Sequence, residues 1–208
     1  MGWVNPAGGL TYHWRAMRGQ HLWRDYRGQI GQFLRDWNPP QTTLLLVGPS
    51  AGYSLPRTWL GSFPSLVGME IDPLAKRLFA SRHHVHPHWL ATPWTPDLAG
   101  IEAALRQHED AAVLFCNFLG QLPALYPDLN LEATHTQLRE LLRGRSWASY
   151  HDRLSGQAVL PFVSAHYNVA PPNAELASDF ELTGTWMDHE THTFSAGLPV
   201  EVFPWQLT

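Results

Sequence analysis

One short run of residues constrains the fold of this chain more than any other feature. Residues 42–47, Thr-Thr-Leu-Leu-Leu-Val, form a continuous β-prone stretch that ends at Gly48. A strand with one wet face alternates polar and apolar residues, whereas an unbroken apolar run is typical of a strand buried on both faces of a parallel sheet. The run therefore predicts the central strand of an α/β protein.

Helical and β-prone segments alternate on the C-terminal side of this run. Further strands are predicted at 65–71, 85–90, 111–118 and 146–154. Helices are predicted after Asp72, which is a candidate N-cap, from Leu98 to Glu109, and from Leu131 to a stop at Gly144. This alternation indicates a parallel sheet whose strands are joined by crossover helices.

The two ends of the chain have a different pattern. Apolar residues recur at helical spacing between 10 and 37, and Asn38-Pro39-Pro40 ends that pattern. Near the C-terminus, strands at 180–194 and 200–207 are predicted to form a hairpin. We therefore expect a single domain that consists of a helical cover (1–40), βα units (41–154), and a loop with the terminal hairpin (155–208).

Composition argues against two classes of partner. The chain has 14 Lys and Arg against 18 Asp and Glu, and Lys76 is its only lysine. Nucleic-acid binding without sequence preference needs many such cations, so we expect none. No apolar run approaches the roughly 20 residues of a membrane helix, so we expect no membrane partner. Cys116 is the only cysteine, and the first residues do not resemble a secretory signal, so we expect a cytoplasmic protein.

Two features follow neighbouring predicted strands. The loop 48–53, Gly-Pro-Ser-Ala-Gly-Tyr, follows the first strand, and Glu70 lies 18 residues beyond Gly52, near the end of the second. Glycines permit tight turns and close approach of the backbone to a ligand. An acidic side chain at this position can accept hydrogen bonds from ribose hydroxyls. The pair predicts a nucleotide-type site, with a plain strand turn and a surface acid as the alternative.

Three segments carry a family resemblance: LLLVGPSAG (44–52), MEIDPLAKRLFA (69–80) and DAAVLFCNFLGQL (110–122). They resemble motifs of the class I S-adenosylmethionine-dependent methyltransferases. The chain departs from that family where Ser50 replaces the central glycine of the loop and Leu46 replaces the acidic residue of the first strand. The third predicted strand also ends without the usual aspartate.

The resemblance implies a Rossmann-like three-layer α/β sandwich. Its sheet would be mostly parallel and seven-stranded, with a C-terminal antiparallel hairpin and an N-terminal helical cover. The implied cofactor is S-adenosyl-L-methionine, and the implied methyl acceptor is a small molecule or a protein side chain. The cofactor-binding residues would be Gly48, Pro49, Ser50, Gly52, Tyr53, Glu70, Ile71, Asp72, Leu90, Ala91, Asn117 and Phe118.

Three polar residues near strand ends are candidates for the chemistry. Asn117 can accept from an amine or orient a hydroxyl, and His151 can act as a base near neutral pH with Asp152 orienting its ring. Each has a structural alternative, since Asn117 can cap the loop backbone and a His–Asp hydrogen bond is common at a strand end. We carry all three as candidate catalytic residues.

Other interpretations stay open. The N-terminal residues 12–15 can form a lid over an acceptor pocket, although covering the sheet is the simpler role. His84, His86 and His88, and likewise residues 188–192, contain metal-ligand types, but we expect solvated polar faces and assign no metal site. The alternative function is a non-catalytic methyltransferase-like protein that binds S-adenosylmethionine or S-adenosylhomocysteine or acts by protein interaction. A metal-dependent hydrolase is a weaker third.

Overall fold

The structure, a computed structural model, describes residues 9–21, 23–91, 98–119, 122, 126, 128–152, 154–156, 185–188, 193–196 and 202–205. At 25, 131 and from 151 onward it describes the backbone alone.

The described elements alternate as expected for an α/β protein. The helices are α1 (Gly9–Arg18), a 3-10 turn (Gly19–His21), α2 (Arg24–Trp37), α3 (Arg57–Leu60), α4 (Pro73–His83), α5 (Ala99–Gln107) and α6 (Leu131–Leu142). The strands are β1 (Thr43–Val47), β2 (Ser65–Met69), β3 (His88–Trp89), β4 (Ala112–Cys116), β5 (Trp147–Asp152), β6 (Leu154–Gly156), β7 (Thr185–Asp188), β8 (Thr193–Ala196) and β9 (Val202–Trp205).

The main sheet has the order β3-β2-β1-β4-β5-β9. The first five strands in this order are parallel, and β9 runs antiparallel beside β5. The chain moves outward from β1 to β3 on one side and then crosses to β4 on the other. The crevice at such a reversal of strand order, beyond the carboxyl ends of the strands, is where ligands bind in open α/β sheets.

The central position of the apolar run is confirmed. All four residues from Leu44 to Val47 are buried, because β1 lies between β2 and β4 and its two faces enter different clusters. Leu44 and Leu46 pack with α2, whereas Leu45 and Val47 pack with α5 and α6. The sheet is therefore the middle of three layers.

Two predicted helix signals are also confirmed. Asp72 is the N-cap of α4, and its side chain accepts a hydrogen bond from the amide of Leu74 at 2.8 Å. Asn38 ends α2 in the left-handed conformation with φ of 31°, as its short polar side chain allows.

The predicted seven-stranded sheet with a terminal hairpin is wrong in its details. The parallel part has five strands, and among the described residues neither 185–188 nor 193–196 pairs with 202–205. Instead, β7 pairs with β6 and β8 in a separate antiparallel sheet, and β9 joins the main sheet alone. Polar and apolar residues alternate through β8, Thr-Phe-Ser-Ala, as is typical of a strand with one wet face. The predicted turn at Gly-Leu-Pro, 197–199, lies outside the described residues.

The N-terminal cover and the third strand also differ from their predicted bounds. The cover is not one helix, since the 3-10 turn at Gly19–His21 separates α1 from α2. Glycine is a weak helix former, and Gly19 marks the break. β3 comprises only His88–Trp89 because Pro87 has no amide to donate to a strand neighbour. No helix within the described residues has the length and apolar character needed to cross a membrane.

Candidate functional site

The loop after β1 is a tight turn fastened to the neighbouring strand. Gly48, Ser50 and Gly52 all have positive φ, at 65°, 49° and 66°. The Gly48 amide donates to the Met69 carbonyl at 2.9 Å, and the Gly52 amide donates to the Pro49 carbonyl at 2.9 Å. The loop therefore starts beside the end of β2, to which it is hydrogen-bonded, and then folds back on itself.

Glu70 holds this loop to the start of α4. Its Oε2 accepts from the Ser50 amide at 2.8 Å, and its Oε1 accepts from the amides of Ile71 and Asp72 at 2.8 and 2.9 Å. Burial raises the pKa of Glu70, and the three backbone hydrogen bonds oppose that rise. A carboxylate offers about four acceptor positions. Three are taken, so one is left for a hydroxyl group of a ligand.

The two loop glycines are required by contacts inside the protein. A Cβ on Gly48 would lie 3.1 Å from the Phe118 ring. A Cβ on Gly52 would collide with Nε2 of His83 and lie 2.8 Å from Phe79. Both glycines thus let the loop after β1 pass closely over side chains that follow β4 or belong to α4. This is a packing role that does not depend on a ligand.

An apolar side chain stands exposed beside Glu70. Ile71 is 71% exposed, a large value for isoleucine at the end of a central strand. Leu90 and Ala91 follow β3, on the far side of β2 from the loop; Leu90 is buried and its amide donates to Gly68, whereas Ala91 is exposed. Ile71 and Ala91 are the predicted cofactor residues that offer open apolar surface.

Asn117 and Phe118 lie beyond β4, on the other side of β1. Asn117 has φ of 49°, and its amide donates to the Tyr150 carbonyl at 2.8 Å. Phe118 is buried against Gly48. His151 and Asp152 end β5, where they pair with Phe203 and Val202 of β9, and their side chains lie outside the described residues. Their predicted catalytic roles stay predictions.

The N-terminal helix α1 covers the same edge of the sheet. His13 is 2% exposed, and its Nδ1 lies 2.9 Å from Oη of Tyr53 while its Nε2 lies 3.1 Å from Oδ2 of Asp72. The Gly9 amide donates to the same Asp72 oxygen at 2.8 Å. With Asp72 ionised, Nε2 of His13 donates to its carboxylate, and Nδ1 is within hydrogen-bond distance of the tyrosine hydroxyl. Tyr53 is therefore enclosed under α1.

The pKa values of Asp72 and Tyr53, the two partners of His13, are shifted in opposite directions. Burial favours the neutral carboxyl, but hydrogen bonds from Gly9, Leu74 and His13 outweigh it and lower the pKa of Asp72. Burial raises the pKa of Tyr53, and the nearby Arg82 guanidinium opposes that rise. The tyrosine stays neutral and the aspartate ionised near neutral pH.

His83 is a buried histidine that no motif in the sequence identifies. Its Nε2 donates to the Gly52 carbonyl at 3.0 Å, and its Nδ1 is buried without a partner among the described residues. Burial lowers its pKa to about 4, with the charge of Arg82 adding to that effect. Its spacing from Phe79 places both on one face of α4, and this was the only available signal.

Within the described part of the chain, no group of three or more His, Cys, Asp or Glu side chains is arranged to hold a metal ion. His84, His86 and His88 belong to that part, whereas residues 189–192 lie outside the described residues. Cys116 is buried, which raises the pKa of its thiol, in keeping with a core residue.

Neither models of protein families nor the sequences of curated proteins match this chain.

The structure brings the loop, Glu70, Asp72 and Phe118 into one connected unit around the end of β1. Tyr53 is part of that unit but is covered by α1. Chemically, this edge offers one carboxylate acceptor and the exposed apolar side chain of Ile71, side by side.

Proposed function

We propose that this chain binds S-adenosyl-L-methionine at the crevice beyond β1 and β2 and transfers its methyl group to a small molecule or a protein side chain. One observation carries the proposal: the loop Gly48–Gly52 and Glu70 meet at the reversal of a β3-β2-β1-β4-β5 sheet. That combination is the general location of nucleotide binding in such sheets. The antiparallel β9 beside β5 is similar to the last strand of the methyltransferase family.

The residues at this edge fit the adenosine part of the cofactor. Glu70 retains one acceptor position for a ribose hydroxyl, and Ile71 presents an apolar surface next to it on which a flat ring can rest. The described loop amides of Gly48, Ser50 and Gly52 all donate within the protein, so the loop supports the ligand by close approach rather than by free donors.

The cofactor supplies a methyl group on a positively charged sulfur, which an acceptor displaces in line. The chain has to align the two reactants, exclude water and take a proton from the acceptor where it has one. Asn117 follows β4 at the adjoining edge and is the proposed positioning residue for the acceptor. His151, oriented by Asp152, is the proposed base.

A non-catalytic protein of the same fold is the second candidate. It is favoured by the burial of Tyr53 and Phe118, which are 5% and 6% exposed and are held by contacts within the protein. Two assays distinguish the two candidates. Thermal stabilisation by S-adenosylhomocysteine reports binding, and transfer of a labelled methyl group to a panel of small molecules and peptides reports catalysis.

Binding that is lost in Ile71→Asp but kept in Leu10→Asp supports the cofactor site, because both residues are exposed and only Ile71 lies beside Glu70. Stabilisation without transfer favours the non-catalytic protein. Stabilisation by zinc alone would favour the metal-dependent hydrolase and overturn the proposal.

A further inference from the structure

A cleft lies beside α2, and none of the residues that line it belongs to the proposed cofactor site. It has a volume of about 230 Å³, and its walls are one face of α2 and the chain that follows Gly52. The residues that line it are Arg27, Gly28, Gly31, Arg35, Ser54, Leu55 and Pro56. None of them was selected as a candidate from the sequence.

The helix wall of the cleft is built from glycines and arginines. Gly28, Gly31 and Arg35 are spaced by three and four residues and share one face of α2, with Arg27 next to it. Glycine weakens a helix interior, yet both glycines of α2 line this cleft. A Cβ on Gly28 would meet nothing within 4 Å, so Gly28 borders open space.

The guanidinium of Arg35 packs next to Gly31. A Cβ on Gly31 would be 3.4 Å from Nη1 of Arg35 and 3.5 Å from Cγ of Pro56. The guanidinium therefore lies over the glycine and against the loop. Its Nη2 donates to Gln32 at 2.8 Å, which fixes the group and leaves its other donors for the cleft.

Two arginines bring positive charge to the cleft. Among the side chains that the structure describes, no carboxylate lies within salt-bridge distance of Arg27 or Arg35. Burial lowers the pKa of Arg82, and the charge of Arg27 lowers it further, so the two guanidinium groups repel each other. A bound anion would relieve that repulsion.

A hydroxyl group completes the set of donors. Oγ of Ser54 lies 2.7 Å from Oη of Tyr150, which is 1% exposed and follows the apolar half of β5. When the tyrosine donates in this pair, the serine proton is left to donate to a ligand in the cleft. Two guanidinium groups and a hydroxyl suit a phosphate, which accepts paired hydrogen bonds from arginine.

We propose that this cleft, lined by Arg27, Arg35 and Ser54, binds the phosphate group of a small phosphorylated molecule. Pockets for larger ligands have volumes of about 300–1,000 Å³, so the cleft suits a phosphate with a short substituent. The site is separate from the one proposed for S-adenosyl-L-methionine. Either site can be lost without the other.

The test is a titration of the full chain with inorganic phosphate and with glycerol phosphate, followed by phosphorus NMR and thermal stability at constant ionic strength. Arg27→Gln, Arg35→Gln and Gly28→Leu are expected to weaken phosphate binding about tenfold or more, by removing a charged donor or by filling the open space. Gly28→Ala and Arg143→Gln are the matched controls. The first keeps most of the open space, and the second removes an exposed arginine that pairs with Glu140 elsewhere on the protein.

Three results would overturn the proposal. They are the absence of phosphate binding by the unmodified chain, an equal loss of binding in Arg143→Gln, and equal binding of acetate and phosphate. Gly28→Leu keeps the test decisive if an arginine variant does not fold, because it changes no charge. Unchanged binding in a folded Gly28→Leu variant contradicts the location of the site.

Discussion

The backbone amide of Ser50 donates a hydrogen bond of 2.8 Å to Oε2 of Glu70, twenty residues further along the chain. β1 and β2 are parallel neighbours, so the loop after one and the acid after the other meet at the same edge of the sheet. The same carboxylate accepts from Ile71 and Asp72. The loop, the acid and the start of α4 therefore form one hydrogen-bonded unit.

Loss of the Glu70 carboxylate should destabilise this unit. In Glu70→Ala, three backbone amides lose their acceptor, and we expect the free energy of unfolding to fall by about 2 kcal/mol. Glu140→Ala is the control, since it removes an exposed partner of Arg143 and should cost less than about 1 kcal/mol. Urea unfolding of the two variants measures the difference, and equal losses would contradict this role of Glu70.

Alanine substitutions at Gly52 and Gly144 should distinguish the cost of backbone strain from the cost of steric collision. Both have positive φ, at 66° and 76°, but a Cβ on Gly144 would meet nothing within 4 Å, whereas one on Gly52 would meet His83 and Phe79. Gly144→Ala should cost about 1 kcal/mol from strain alone. Gly52→Ala should cost about 3 kcal/mol because collision adds to strain. Denaturant unfolding that shows the same cost for both would contradict the packing around Gly52.

The buried ring of His83 should make stability depend on pH. Its folded-state pKa is about 4 against 6.5 for the free side chain, so between these values only the unfolded chain binds the proton. Stability from neutral His83 is complete above 6.5 and is lost as the pH falls towards 4. His83→Gln, which can still donate to the Gly52 carbonyl, should remove this loss, about 2 kcal/mol near pH 5. Parallel pH profiles for the two proteins would exclude this effect.

The attachment of α1 should depend on His13. His13→Leu removes the hydrogen bonds to Tyr53 and Asp72, and we expect the amides of α1 to exchange with solvent about tenfold faster. Met17→Leu is the matched control because Met17 belongs to the same helix and is exposed. Hydrogen exchange measured by mass spectrometry compares the two. Similar exchange rates in both variants would show that His13 does not hold the helix.

Local signals in the sequence predicted the middle of the sheet and several helix ends. The apolar run at Thr43–Val47 indicated a doubly covered strand, and Asp72 and Asn38 indicated caps, because each of these features depends on neighbouring residues alone. The meeting of the Gly48–Gly52 loop with Glu70 was also predicted, since parallel neighbours end at one edge.

Features that depend on distant contacts were not predicted. The roles of His13 and His83 follow from partners 40 and 31 residues away, and nothing in their local sequence identifies those partners. The cleft beside α2 depends on the packing of Arg27 and Arg35 next to Ser54, which lies about 20 residues or more along the chain from them. The pairing of β7 with β8 was missed because the turn residues at 197–199 gave a stronger local signal.

The central claim is most directly tested by calorimetric titration of the purified chain with S-adenosylhomocysteine. We predict a dissociation constant tighter than about 100 μM, which corresponds to more than about 5 kcal/mol. Ile71→Asp should weaken binding markedly, whereas Leu10→Asp should leave it unchanged. No heat of binding to a folded chain, or the same affinity in all three proteins, would contradict the proposed cofactor site.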